Sequence, residues 1–252
     1  MFDFDTGYEG KFDLPPIEGE PRITYMLATV PRTGSSWLSH LLWGTGCLGA
    51  PLEYLNFEAG PYAFAKGMPE QQDRLWRSVR RRRTTPNGVF GFKAFPMQLE
   101  TLQEVNPGLL QQVMATVMAG TPPKIVYLQR RDRVAHTVSY ARAILSGVWR
   151  AEQEAGQGAE PEYSQADLEG AERWIEIHQG AWDEMFREMR LSPLTLWYED
   201  VVADPAGATR QVADYLGVTI DPAAAISVPE VRKQDETHAL RWAAKYAEGR
   251  GG

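Results

Sequence analysis

Apolar residues recur along the chain in two alternating rhythms. Short runs rich in β-branched and aromatic residues occur at 23–30, 88–93, 124–128 and 193–198, and they read as strands. The first is bounded by Pro21 and Pro31. Between and after them, apolar positions return at helical spacing over 35–43, 98–105, 109–118, 133–147, 168–189 and 205–216. Within the first of these, Trp37, Leu38, Leu41 and Leu42 share one face, and Gly44 and Gly46 end the pattern. Short buried-type strands alternating with helices predict an α/β fold, with a central parallel sheet carrying helices on both faces. Residues 1–21 mix Gly, Pro and acids without a period and read as an N-terminal arm, lying on the domain or on a partner chain. No repeat or linker divides 22–250, which is expected to be one domain. The Glu-, Gln- and Gly-rich stretch 151–166 reads as a mobile loop or lid.

Composition narrows the function classes. The chain has 252 residues, 43% hydrophobic and 23% charged, enough to bury a core. Its formal net charge of -7 argues against binding nucleic acid, which needs a basic surface. Four consecutive arginines, Arg80 to Arg83, do not change that sign. They read as a solvated helix end or a clamp on an anionic acceptor. The lone Cys47 excludes a disulfide framework and a cysteine-rich metal module, and reads as a buried apolar side chain. No apolar run approaches a membrane span, and the acidic N-terminus lacks an export signal, so a cytoplasmic protein is expected.

The chemistry concentrates where the first strand turns into the first helix. Arg32, Thr33, Gly34, Ser35, Ser36 and Trp37 follow the strand directly and open the helix. Unpaired N–H groups at such a terminus carry partial positive charge and attract an anion. Gly34 permits close backbone approach, the hydroxyls add donors, and Arg32 adds a permanent charge. A kinase-type loop would need G-x-x-x-x-G-K-[ST], and neither that spacing nor its lysine is present.

This loop resembles the 5′-phosphosulfate-binding loop of sulfotransferases, in particular the family that contains bacterial trehalose 2-sulfotransferase, whose loop reads Arg-Ser-Gly-Ser-Thr. Further segments resemble that family in the same order: 46–54 (GCLGAPLEY), 84–93 (TTPNGVFGFK), Arg130-Arg131-Asp132 through Thr137-Val138-Ser139-Tyr140, and Val148-Trp149-Arg150. A weaker likeness covers Val231 to Gln234 and Leu240 to Trp242. The resemblance implies a P-loop-like three-layer α/β/α sulfotransferase fold. It also implies 3′-phosphoadenosine 5′-phosphosulfate (PAPS) as donor, no metal, and a small hydroxyl acceptor containing sugar. Members of the family can be homodimers.

The resemblance also assigns roles. Arg32, Thr33, Gly34, Ser35, Ser36 and Trp37 would hold the 5′-phosphosulfate. Arg130 with Ser139 would hold the 3′-phosphate, and the spacing to Ser139 suits Arg131 equally. Arg232 and Lys233 would cover the phosphates. Glu53 falls on the family's proposed catalytic glutamate, and Ala50 replaces an earlier acid of that segment. Lys93, at the end of a strand where α/β sheets place ligands, would serve the sulfuryl group or the acceptor. His136 is a rival base, sited within a helix. Two other readings compete: a P-loop-like nucleotide kinase and a catalytically silent nucleotide-binding protein of the same fold.

Overall fold

The computed structural model describes residues 4–156, 161–232, 234 and 237–249. Four strands, β1 (Ile23–Ala28), β2 (Val89–Ala94), β3 (Lys124–Gln129) and β4 (Leu194–Trp197), form one parallel sheet in the order β2-β1-β3-β4. Successive side chains of a strand point to opposite faces, and both faces are covered. Met26, Ala28, Phe90, Phe92, Ile125 and Tyr127 meet Trp76, Val113, Val138 and Trp182 on one side. Tyr25, Leu27, Val126, Leu128 and Leu196 meet Leu38, Leu42, Val212 and Leu216 on the other. The expected three-layer α/β/α architecture is therefore present.

Helices α1 (Ser35–Gly44), α2 (Pro69–Arg82), α3 (Pro96–Val105), α4 (Pro107–Met118), α5 (Arg133–Ser146), α6 (Gln165–Glu188), α7 (Tyr198–Ala203), α8 (Pro205–Leu216) and α9 (Thr237–Gly249) complete the described elements. Three begin earlier than periodicity alone predicts, because caps and prolines rather than apolar residues set their starts. Pro96 and Pro107 occupy first turns, where a missing N–H costs nothing. Asn106 accepts from the Leu109 amide (3.1 Å) and Ser164 from the Asp167 amide (3.2 Å). The fourth strand stops at Trp197, since Tyr198 already opens α7. Within 151–166, a 3-10 turn spans Ala151–Gly156 and α6 begins at Gln165, while 157–160 lie outside the described residues.

Topology fixes where a ligand belongs. The chain leaves β1 to pair with β2 on one flank and returns to pair β3 on the other. The crevice at the carboxyl end of β1 is thus the switch point of the sheet. An isolated bridge joins Leu52 to Phe92, and the Lys93 amide donates to the Leu52 carbonyl (2.9 Å). That pairing draws the 50–54 segment along the outer edge of β2 and sets Glu53 beside Lys93. No described helix is long and apolar enough to cross a membrane.

Candidate active site

The turn after β1 is braced from beneath. Thr29 Oγ1 shares a 2.6 Å hydrogen bond with Thr33 Oγ1 and donates to the Leu128 carbonyl (2.8 Å). Thr33 Oγ1 also reaches the Val30 carbonyl (3.1 Å), Trp182 Nε1 donates to the Thr29 carbonyl (2.7 Å), and His136 Nε2 donates to the Pro31 carbonyl (2.8 Å). These bonds hold Arg32 at φ 68 and Gly34 at φ 78, both left-handed. For Arg32 that geometry is strained and persists because its surroundings enforce it. At Gly34 a Cβ would lie 2.4 Å from the Tyr198 ring, so only glycine fits. No side chain caps the start of α1.

This turn opens into a cleft of about 630 Å³. Arg32, Gly34, Ser35, Ser36, Trp37, Arg130, Ser139 and Arg232, all named from sequence, line it. Thr33 does not, because its hydroxyl is spent bracing the loop. Arg32 Nε donates to Ser139 Oγ (3.0 Å), Nη1 to the Trp149 carbonyl (2.6 Å), and Nη2 to Gln234 Oε1. Burial, aided by the neighbouring charges of Arg130 and Arg142, lowers the Arg32 pKa to about 10, so it stays cationic at neutral pH. Arg130 lies over the Tyr198 ring, 4.8 Å from its centroid, and Nη1 donates to the Arg32 carbonyl (3.4 Å). Its buried Nε has no hydrogen-bond partner among the described residues. A residue that lines the cleft and carries such an unpaired donor has hydrogen-bonding capacity left for a ligand.

Arg131 points elsewhere. Its guanidinium makes a two-pronged pair with Asp200 (2.5 and 2.7 Å), lies 4.9 Å from the Trp197 ring centroid, and stays outside the cleft lining. Lys233 lies outside the described residues.

Glu53, partly buried, and Lys93, buried, form an ion pair next to the cleft rather than on its lining. Lys93 Nζ, 2% exposed, touches Glu53 Oε1 at 2.8 Å and donates to Ser36 Oγ at 3.1 Å. Burial pushes the Glu53 carboxyl up, but the Lys93 ammonium and the Asn56 amide (3.3 Å) outweigh it and hold it below the ordinary carboxylate range. Burial lowers the Lys93 pKa despite Glu53. His136 is fully buried behind the loop, and burial drops its pKa to about 4; it braces Pro31 and does not reach the cleft.

Three residues enter the site without having been assigned a role from sequence. Tyr198 covers Gly34 and stacks on Arg130. Arg150 lines the cleft and lowers the Glu53 pKa from nearby. Gln234 receives Arg32. Arg150 stood in a recognised segment, Val148-Trp149-Arg150, and so carried a signal. Gln234 likewise stood in the weaker likeness over Val231 to Gln234, whereas Tyr198 carried none, because its partners are far away in sequence.

A braced turn closed by Gly34, with Arg32 and Arg130 beside it, sits at the switch point of a parallel α/β sheet. The profile of the Stf0 sulphotransferase family matches residues 24–249, and the chain belongs to that family: it is a transferase enzyme of the sulfotransferase class. Trehalose 2-sulfotransferase of Mycobacterium tuberculosis (strain ATCC 35801 / TMC 107 / Erdman) is 25% identical over 253 residues, covering 88% of this chain and 93% of that one. The enzyme of the same name from Mycolicibacterium smegmatis (strain ATCC 700084 / mc(2)155) is 24% identical, with the same coverage. Among solved structures, a sulfotransferase from Alicyclobacillus acidocaldarius matches with TM-score 0.44 and 16% identity, over 92% of this chain and 93% of that one.

Proposed function

We propose that this enzyme moves the sulfuryl group of PAPS onto a carbohydrate hydroxyl, with trehalose the first acceptor to test. The observation that carries the reading is the bridge made by Lys93, which touches the anion-binding loop at Ser36 (3.1 Å) and the carboxylate of Glu53 (2.8 Å) at once. A proton acceptor, a cation and the loop after β1 thus lie in one chain of contacts, which supports transfer to a hydroxyl bound beside Glu53.

The residues fit such a donor. The free amides at the start of α1, Arg32, Ser35 and Ser36 would hold the 5′-phosphosulfate, and Arg130 with Ser139 would hold the 3′-phosphate. Arg130 is preferred to Arg131 because it lines the cleft and has an unpartnered buried Nε, whereas Arg131 is paired to Asp200. Bound there, the donor supplies an electrophilic sulfur and leaves as adenosine 3′,5′-bisphosphate. The chain's own part is positioning and charge. Arg32 and the loop amides stabilise negative charge at the departing phosphate. Glu53, ionised by its neighbours, accepts the proton of the attacking hydroxyl. An anion on the loop competes for the Lys93 ammonium, and charge drawn from Glu53 in this way makes the carboxylate more basic.

The test is transfer of label from radiolabelled PAPS to trehalose and a panel of other sugars. Labelled sugar is expected. Turnover of ATP in place of PAPS, or no labelled product from any sugar, would overturn the reading.

A further inference from the structure

The arm that precedes β1 lies outside the residues matched by the family profile, yet it reaches the main chain of Glu53. The Glu53 amide donates to Tyr8 Oη at 2.9 Å, and Arg150 Nη1 donates to the Thr6 carbonyl at 3.2 Å. Tyr8 is wedged edge-on between Tyr54 and Tyr62, with centroids 6.2 and 5.5 Å away. Burial and the nearby Glu53 charge raise its phenol pKa far above the usual range, so the hydroxyl keeps its proton.

What holds the arm is the arginine run. Arg83, 2% exposed, donates to the carbonyls of Gly7 (2.8 Å) and Glu9 (3.2 Å), pairs with Asp13 at 3.0 Å, and lies 5.8 Å from the centroid of the Trp43 ring. Arg82 reaches the same Asp13 and Arg80 pairs with Glu20. The amides of Leu14 and Ile17 donate to the carbonyls of Arg82 and Arg81. The arm is folded on itself as well, since Glu9 accepts from the amides of Thr6 and Gly7 and from the Thr6 hydroxyl. Gly7 sits at φ 90, where a Cβ would come within 3.1 Å of Trp43.

From these contacts we infer that residues 6–9 are a built-in wall of the acceptor site, and that Tyr8 is a positioning residue that fixes the main chain of Glu53. A lid that opens in each cycle would be weakly tethered. This arm is fastened by a buried guanidinium whose partners are main-chain carbonyls and a carboxylate, groups that are costly to leave unpaired. The inference rests on Glu53 as the base, and it gives Arg80 to Arg83 their purpose: an anchor for the chain's own arm.

The test compares the full chain with Tyr8→Phe and with Gly7→Ala, which leaves the hydroxyl but strains the backbone beneath it. The first readout needs no substrate: exchange of the Glu53 amide, followed by NMR. It is expected to quicken at least tenfold in both variants, with the amides of Leu27 and Phe92 unchanged. The second readout is transfer from PAPS to trehalose, where kcat is expected to fall about tenfold while the KM for PAPS holds. Unchanged Glu53 exchange overturns the inference, as does a rise in kcat, which would mark the arm as an inhibitory cover. A fall in the PAPS affinity together with kcat also overturns it, since that would mean general damage. If the unaltered enzyme does not act on trehalose, the acceptor assignment fails, and the exchange measurement still decides the role of Tyr8.

Discussion

At the scale of the residue, Glu53 is governed by two opposed effects. Burial pushes its carboxyl pKa up, and the ammonium of Lys93 at 2.8 Å more than reverses that. The group is therefore ionised across the physiological range, as a base must be at the start of a cycle. Glu53→Gln keeps the shape and removes the proton acceptor. Initial rates of transfer should fall about 100- to 10,000-fold, the usual worth of general base catalysis, while adenosine 3′,5′-bisphosphate binds within about threefold of normal. An unchanged rate would remove Glu53 from the mechanism. Ser36, Gly34 and Arg32 were legible in the sequence because their chemistry is local, a turn between a strand and a helix. Tyr8 and Tyr198 were not, because each acts on a partner brought near only by folding.

At the scale of the element, the sheet was readable and three helices, α2, α7 and α9, were not. Buried parallel strands must be apolar on both faces, so β1, β2 and β3 announce themselves. Helix α2 reads PEQQDRLWRSVRRR, a strongly polar stretch with only Trp76 and Val79 among its apolar residues buried. Helix α9 buries just Trp242 and Tyr246. Both lie at the margin of the core and bury few apolar residues, and α7, six residues long, is too short to show a helical period. The loop after β1 is the opposite case, an element whose shape is over-determined by Thr29, Thr33, His136 and Trp182. Gly34→Ala sets a Cβ 2.4 Å from Tyr198 at a left-handed backbone. It should lower stability by roughly 1–3 kcal/mol in urea titrations and weaken bisphosphate binding at least tenfold. Unaltered binding would mean that the loop does not hold the nucleotide.

For the whole molecule, charge and burial combine into a pH dependence. His40 and His136 are both buried neutral, with pKa values lowered to about 4, chiefly by burial. An unfolded histidine takes up its proton near pH 6.5, so between about 6.5 and 4 the unfolded chain binds more protons than the folded one. Stability from these groups is fully present above about pH 6.5 and is lost as the pH falls toward 4, by up to roughly 3 kcal/mol each. The melting temperature should decline across that window, and His136→Gln should flatten the decline. A wild-type melting temperature that is level from pH 6.5 to 4 would contradict the assignment. Against a net charge of -7, the cleft gathers Arg32, Arg130, Arg142, Arg150 and Arg232 beside Asp132, Glu152, Glu154 and Glu230, so it is locally richer in cations than the chain as a whole. Sequence exposed the overall sign and the loop arginine, but not their convergence.

The most direct measurement is calorimetric titration of adenosine 3′,5′-bisphosphate into the intact enzyme and into Arg32→Ala. A saturable one-to-one binding curve is expected for the intact enzyme, weakened about 100-fold or more in the variant. Absence of binding to the intact enzyme, or equal affinity in both, would contradict a nucleotide site at the turn after β1.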